Sequence, residues 1–150
     1  MTPADGNGAG DGQSHGLYAN QVGLLDVRDS YFHDTKVGHH IKSRANTTRV
    51  LRTRLVDNVT SSGTASYEID LPNGGAATIR GNSIQQSAAT GNPTIIAYGE
   101  EEAVRPNPSL TVSGNLLQNF RTAGALGVWN KRDFLSFLVR SPEPEEEASL

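Results

Sequence analysis

The stretch Ile69-Asp70-Leu71-Pro72-Asn73-Gly74-Gly75-Ala76-Ala77-Thr78-Ile79-Arg80-Gly81-Asn82-Ser83-Ile84 decides the fold. Short apolar runs are separated by a Pro-Asn-Gly-Gly bend and a Gly-Asn corner, spaced too tightly for helices. A period of two sends Ile69 and Leu71 to one side and Asp70 to the other. Ile79 to Ile84 then forms a unit: apolar, two residues, small polar, one residue, apolar. The same unit occurs at Val27 to Phe32 around Ser30, at Val50 to Leu55 around Thr53, and at Val112 to Leu117 around Asn115. Its starts are separated by 23, 29 and 33 residues. A second series, centred on Leu17, Ile41, Ile69, Ala97 and Val128, advances by 24, 28, 28 and 31 residues.

Two series that advance together describe a solenoid, because each coil must return to the same lateral position about 4.8 Å further along the axis. The expected fold is all-β, a right-handed parallel β-helix of about five coils. Ile41, Ile69, Ile79, Ile84, Val112 and Leu117 are expected to face inward in one continuous apolar column, with Ser43 and Leu71 beside them. Ser30, Thr53, Asn82 and Asn115 are expected to stack at one corner and satisfy backbone groups that the bend leaves unpaired.

Composition agrees. Of the 150 residues 35% are hydrophobic and 6% aromatic, too few large side chains for one thick core. The net charge is −3, but Glu143, Glu145, Glu146 and Glu147 supply four of the sixteen acids. The remaining body is near neutral and gives no electrostatic case for nucleic acid. Without cysteine there are no disulfides or thiolate metal sites. No apolar run approaches the roughly 18 residues of a membrane span, and the N-terminus lacks the basic and apolar regions of a signal peptide. The expected organisation is a flexible segment over 1–13, the β-helix over 14–131, a capping segment over 132–140 and a disordered acidic tail over 141–150. No cap is visible before the first coil, which leaves that coil available for contact with a partner.

The segments GDGQSHGLY, GHHIKSRA, GTASYEIDLPNGGAATIRGNSIQQ and NPTIIAYGEE resemble the bacterial right-handed parallel β-helix repeat proteins, whose architecture is shared with pectate-lyase-like enzymes. The resemblance covers about residues 11 to 130. It implies the fold, an association with polysaccharides and a secreted or periplasmic setting, while fold alone does not fix function.

That likeness directs attention to the outward face of the second series, where such enzymes bind extended chains. Aligning the coils gives an outward column of Tyr18, Lys42, Asp70, Tyr98 and Trp129. One flanking column holds Asn20, Arg44, Pro72 and Glu100, the other His40 and Glu68. The expected ligand is an acidic polysaccharide, recognised or cleaved by β-elimination, with Lys42 or His40 as base and Arg44 as partner of the uronate carboxylate. Tyr18, Tyr98 and Trp129 are candidate sugar-stacking residues. Glu68, Asp70 and Glu100 are candidate ligands of Ca²⁺, a hard ion that takes carboxylate oxygens. Ile41-Lys42-Ser43 and Ile69-Asp70-Leu71-Pro72-Asn73-Gly74 are similar to adjacent coils of alginate-lyase and chondroitinase-B type enzymes, with Asp70 where that likeness implies an Arg.

The alternative is a non-catalytic structural or interaction repeat, in which Lys42 beside Asp70 is an exposed charge ladder worth about 0.5 kcal/mol per pair. Alternation points the rings of His39 and His40 to opposite faces, which makes the two a poor chelate. Gly63-Thr64-Ala65 and Asn73-Gly74-Gly75 lack the strand-to-helix context of a phosphate loop.

Overall fold

The computed structural model describes residues 15–57 and 65–132. The first coil holds β1 (Leu17–Ala19), β2 (Leu24–Arg28) and β3 (Tyr31–His33), and the second β4 (Ile41–Ser43), β5 (Thr47–Leu51) and β6 (Arg54–Val56). The third holds β7 (Ile69–Leu71), β8 (Ala76–Arg80) and β9 (Ser83–Gln86). The fourth holds β10 (Thr94–Tyr98), β11 (Ser109–Ser113) and β12 (Leu116–Asn119), and β13 (Leu126–Asn130) opens a fifth. Sheet A runs β1-β4-β7-β10-β13, sheet B β2-β5-β8-β11 and sheet C β3-β6-β9-β12, with every pairing parallel. This is a right-handed parallel β-helix, the hand that a right-twisted strand imposes on parallel crossovers.

Its core lies between the three sheets. Val27, Val50, Ile79 and Val112 stack in register in sheet B, and Phe32, Leu55, Ile84 and Leu117 in sheet C. Val50, Leu55, Ile79, Ile84, Ile41 and Ile69 are fully buried. The expected column is not uniform to its end, since Val112 and Leu117 are only partly buried. Both lie on the outermost described strands of their sheets, so a neighbouring coil covers them from one side only.

The corner from sheet B to sheet C turns on a single residue with positive φ: Asp29 (47°), Arg52 (47°), Gly81 (66°) and Gly114 (62°) occupy the same place in successive coils. A left-handed residue redirects the strand in one step. The next residue closes the corner. Asn82 Oδ1 accepts from the Thr53 amide at 2.8 Å while Asn82 Nδ2 donates to Val50 O at 2.8 Å. Asn115 repeats this one coil on, with the Asn82 amide at 2.9 Å and Ile79 O at 2.8 Å. Thr53 and Ser30 are the weaker first rungs, 3.4 Å apart as hydroxyl and amide.

In sheet A the fourth coil sits one residue away from the spacing read in the sequence. Ile96, rather than Ala97, stacks on Ile69 and on Val128. A slip of one residue reverses every side chain of a strand. Ala97 therefore takes the outward place assigned to Tyr98, and Tyr98 joins Ser43 and Leu71 inside. Tyr98 is 2% exposed and its hydroxyl donates to Gly75 O at 2.6 Å. It is a core residue, not a sugar-stacking one.

The turns from sheet A to sheet B are short at 20–23, 44–46 and 72–75, but the last spans 99–108. In the third of these Gly75 has φ +91°, and a Cβ there would stand 2.6 Å from Asn46 O. Only glycine fits between the coils at that point. No helix among the described residues is long and apolar enough to cross a membrane. The segment expected over 1–13, the cap beyond Arg132 and the acidic tail lie outside the described residues.

Asn82→Ala should remove about 2 to 4 kcal/mol, because it strands the buried Thr53 amide and Val50 carbonyl. Ser30→Ala, at the exposed first rung, should cost under about 1 kcal/mol. Urea unfolding of the two variants measures this, and equal losses would contradict the ladder.

Candidate functional site

On the outer face of sheet A, β4 and β7 pair Lys42 with Asp70. Alternation dictates the placement: Ile41, Ser43, Ile69 and Leu71 turn inward and their neighbours turn out. Lys42 Nζ donates to Asp70 Oδ2 at 2.7 Å. His39 Nε2 lies 3.1 Å from the same oxygen, and its Nδ1 faces the Tyr67 carbonyl at 3.1 Å. The His39 ring is stacked between His15 and Tyr67, with centroids 4.9 and 5.5 Å away.

The long 99–108 turn folds back over this face. Its Glu100 carboxyl hydrogen-bonds to Asp70. Its Glu101 takes Arg44 in a two-pronged pair at 2.6 and 2.9 Å, and Arg44 also donates to Asn73 Oδ1 at 2.7 Å. Arg105 Nε donates to Arg44 O at 2.8 Å and ties the turn down. Tyr18 and Trp129 stand at the two ends of the column, 50% and 39% exposed. Four strand spacings, about 19 Å, separate them.

Two features differ from the expected open ladder. Asp70 is 1% exposed, covered by its partners and not lying on a bare face. Arg44 is held by Glu101, so its guanidinium is already committed to a carboxylate of the same chain.

The electrostatics follow from this crowding. Burial, then the hydrogen bond and charge of Asp70, push the Glu100 carboxyl up to about 8. Burial alone would raise Asp70 too, but the hydrogen bonds with Glu100 and Lys42 and the Lys42 charge, joined by that of His39 in the acid range where its ring is protonated, outweigh it and hold Asp70 below the ordinary carboxylate range. Two carboxyls in contact share one proton, and here Glu100 carries it. Burial lowers His39, and it lowers His15 to about 4 with help from the charges of His39 and Lys42. Both His39 nitrogens face oxygens, which only an imidazolium would satisfy fully. Burial opposes that charge and leaves the ring neutral at neutral pH.

His40 and Glu68 do not flank this patch. They turn to the interior, 1% and 0% exposed, where they meet Asp57. The set Glu68, Asp70 and Glu100 is thereby divided across the sheet, and no calcium site forms from it. His40 is likewise inaccessible as a base for a substrate on the outer face.

Three groups of functional character escape the alternation argument. Asp57 continues the sheet C strands at the place that Asp34, Gln86 and Asn119 take in other coils, and the recurring apolar-x-polar triplets Phe32-His-Asp34 and Leu55-Val-Asp57 signalled it. Glu101 comes from the turn whose length the 33-residue step announced. Arg28, Arg49, Arg52 and Arg80, with Leu51 and Thr78, line a groove of about 430 Å³ on sheet B. Asp26 and Asp29 offset part of that charge.

Fold and site define a right-handed parallel β-helix protein with a carboxyl pair, Asp70 buried and Glu100 half-buried, on the outer side of one sheet. No family model matches the chain, no curated protein matches it, and no solved structure matches it.

An ordinary glutamate titrates near 4.3. Because the folded protein holds the Glu100 proton up to about 8, its contribution is complete below the ordinary range and is lost as pH rises through about 8. Glu100→Gln keeps a hydrogen-bond donor without the titration. Relative to the parent it should gain stability steadily between about pH 5 and 8, read from urea midpoints. A constant difference would show that no proton is held there.

Proposed function

We propose that the chain is a carbohydrate-directed β-helix module that recognises an acidic polysaccharide along the outer face of sheet A and cleaves it by β-elimination, with Glu100 as the proton-transfer group. The observation that carries this is the Glu100 carboxyl, held near 8 beside Asp70 and Lys42. General acid–base groups are most effective with a pKa near the working pH, and clusters of perturbed groups mark functional sites more often than chance. Glu100 as a residue is half-buried, with one carboxyl oxygen shielded from solvent.

The roles in this reading differ from those expected from sequence. Lys42 donates to Asp70, so it serves as the cation that offsets charge growing on a uronate carboxyl, not as the base. Glu100 as carboxylate takes the proton beside that carboxyl, the electron pair left behind forms the double bond as the glycosidic C–O bond breaks, and the departing oxygen takes a proton from solvent. Tyr18 and Trp129 bracket the sugar chain. The arginine groove on sheet B supports an anionic ligand, since four guanidiniums there face two aspartates. The resemblance to pectate-lyase-like β-helices supports a polysaccharide as the class of polymer.

A second reading is favoured by one observation. Lys42, Arg44 and Asp70 are all satisfied within the chain, which is what a non-catalytic structural repeat would show.

Incubation with alginate, pectate and chondroitin sulfate, following ultraviolet absorbance of the unsaturated product, separates the two. Turnover should rise with pH through about 8 as Glu100 ionises, and Glu100→Gln should lower kcat at least ~100-fold without loss of folding. Absence of binding and turnover with all three polymers would leave the structural repeat as the reading.

A further inference from the structure

Inside the solenoid, at the corner where sheet C passes to sheet A, three side chains of opposite character to the core converge. His40 precedes β4, Glu68 precedes β7 and Asp57 follows β6. All three are 1% exposed or less. His40 Nδ1 lies 2.5 Å from Glu68 Oε2, and His40 Nε2 lies 3.5 Å from Asp57 Oδ1. One ligand-type atom from each residue falls within 4.8 Å of the other two. Gly16 and Phe32 close the space from the first coil: a Cβ on Gly16 would stand 2.8 Å from His40 O, and the Phe32 ring meets the imidazole edge-on at 6.5 Å.

The cluster is unsatisfied as a set of hydrogen-bonding groups. Beyond their contacts with one another and the Thr35 backbone against Asp57, the ring nitrogens of His40 and the carboxyl oxygens of Asp57 and Glu68 have no hydrogen-bond partner. Native interiors rarely gather an imidazole and two carboxyls with so few partners outside their own group, because a stranded buried polar atom costs about 1 to 3 kcal/mol. Buried charges are tolerated when they pair or when they hold a metal.

We propose that His40, Asp57 and Glu68 form an interior site for a divalent transition cation of the Zn²⁺ class, which ties the second and third coils together. The donor set selects the ion. One imidazole nitrogen with two carboxylate oxygens suits Zn²⁺ or Mn²⁺, whereas Ca²⁺ prefers six to eight oxygens, more than this pocket presents. Three protein ligands leave a coordination position that a second oxygen of either carboxylate can fill. The charge balance also fits, since two carboxylates neutralise a dication in a place closed to solvent. Without a cation the only relief is protonation: burial raises Glu68 to about 8 and Asp57 to about 7, and lowers His40 to about 4. A metal would displace those protons, as metal binding to titrating ligands does.

The site is independent of the outer face, so this inference stands or falls apart from the polysaccharide reading. Burial means that the ion enters as the coil closes, and the full chain is therefore denatured with a chelator and refolded with no metal, Zn²⁺, Mn²⁺ or Ca²⁺. After desalting, a single Zn²⁺ or Mn²⁺ per chain should remain, and the melting temperature should rise by about 5 °C or more over the metal-free sample. Ca²⁺ should do neither. Refolding with Co²⁺ should give visible absorption that His40→Gln and Glu68→Gln abolish and that His33→Ala, at an exposed imidazole on sheet C, leaves unchanged. A parent chain that retains no ion and gains no thermal stability overturns the proposal, as does cobalt absorption that survives His40→Gln. If the variants do not fold, the refolding comparison on the parent chain decides alone.

Discussion

At each passage from sheet B to sheet C the backbone bends through one left-handed residue, and in the second, third and fourth coils the side chain that follows bonds to the coil before it. That contact fixes where every other part of a coil can lie. Asn82 holds the Thr53 amide below it and the Val50 carbonyl on its inner side, so coils two and three cannot slide relative to one another. The corner carries a cost where glycine is absent. Asp29 and Arg52 hold positive φ with a Cβ, at about 1 to 2 kcal/mol each. Their mutual pair, at 2.7 and 2.8 Å, is well exposed and offsets only part of this. The buried asparagine bonds and the stacked Val and Ile columns carry the remainder.

How much could be read in the sequence follows from how rigid each corner is. From Val27 to Phe32, and in each copy of that unit, the separation between inward residues is constant, so columns through Val50, Ile79 and Ile84 were legible without ambiguity. In sheet A the strands are bounded by turns of unequal length, and nothing in TIIAYG says whether Ile96 or Ala97 occupies the central place. Both choices leave apolar residues inside. The wrong one placed Tyr98 outside, while the right one gives its hydroxyl the Gly75 carbonyl. Alternation also failed at the strand entrances. It predicts the same outward side for His40 and Lys42, but His40 stands before β4 begins, where the chain is still rounding the corner and its side chain falls inward. His39 takes the outer position instead. The pair does point to opposite faces, as alternation requires, with the assignment of faces reversed.

Glu100 shows a different limit. Its place over Asp70 comes from a turn that folds back on the sheet, and the anchors of that fold are long-range: Arg44 to Glu101, Arg105 to the Arg44 carbonyl, and Arg132 to the Glu101 carbonyl. No local pattern encodes such contacts. What the sequence does carry is the length of the fourth coil, because a step of 33 residues where the others take 23 and 29 must put its surplus somewhere. Surplus length in a solenoid goes to turns, and turns are where binding groups gather.

The two polar clusters of the protein lie back to back across sheet A. His39, Lys42, Asp70 and Glu100 occupy its outer side, and His40, Glu68 and Asp57 its inner side, separated by the backbone of β4 and β7. His40 and Lys42 flank Ile41, and Glu68 and Asp70 flank Ile69, while Ile41 and Ile69 stack on each other with no exposed surface. The register that stacks Ile41 on Ile69 therefore puts Lys42 beside Asp70 outside and brings His40 to Glu68 inside. The two clusters thus share one strand register, fixed by the fully buried isoleucines between them, and a slip of that register would undo both at once.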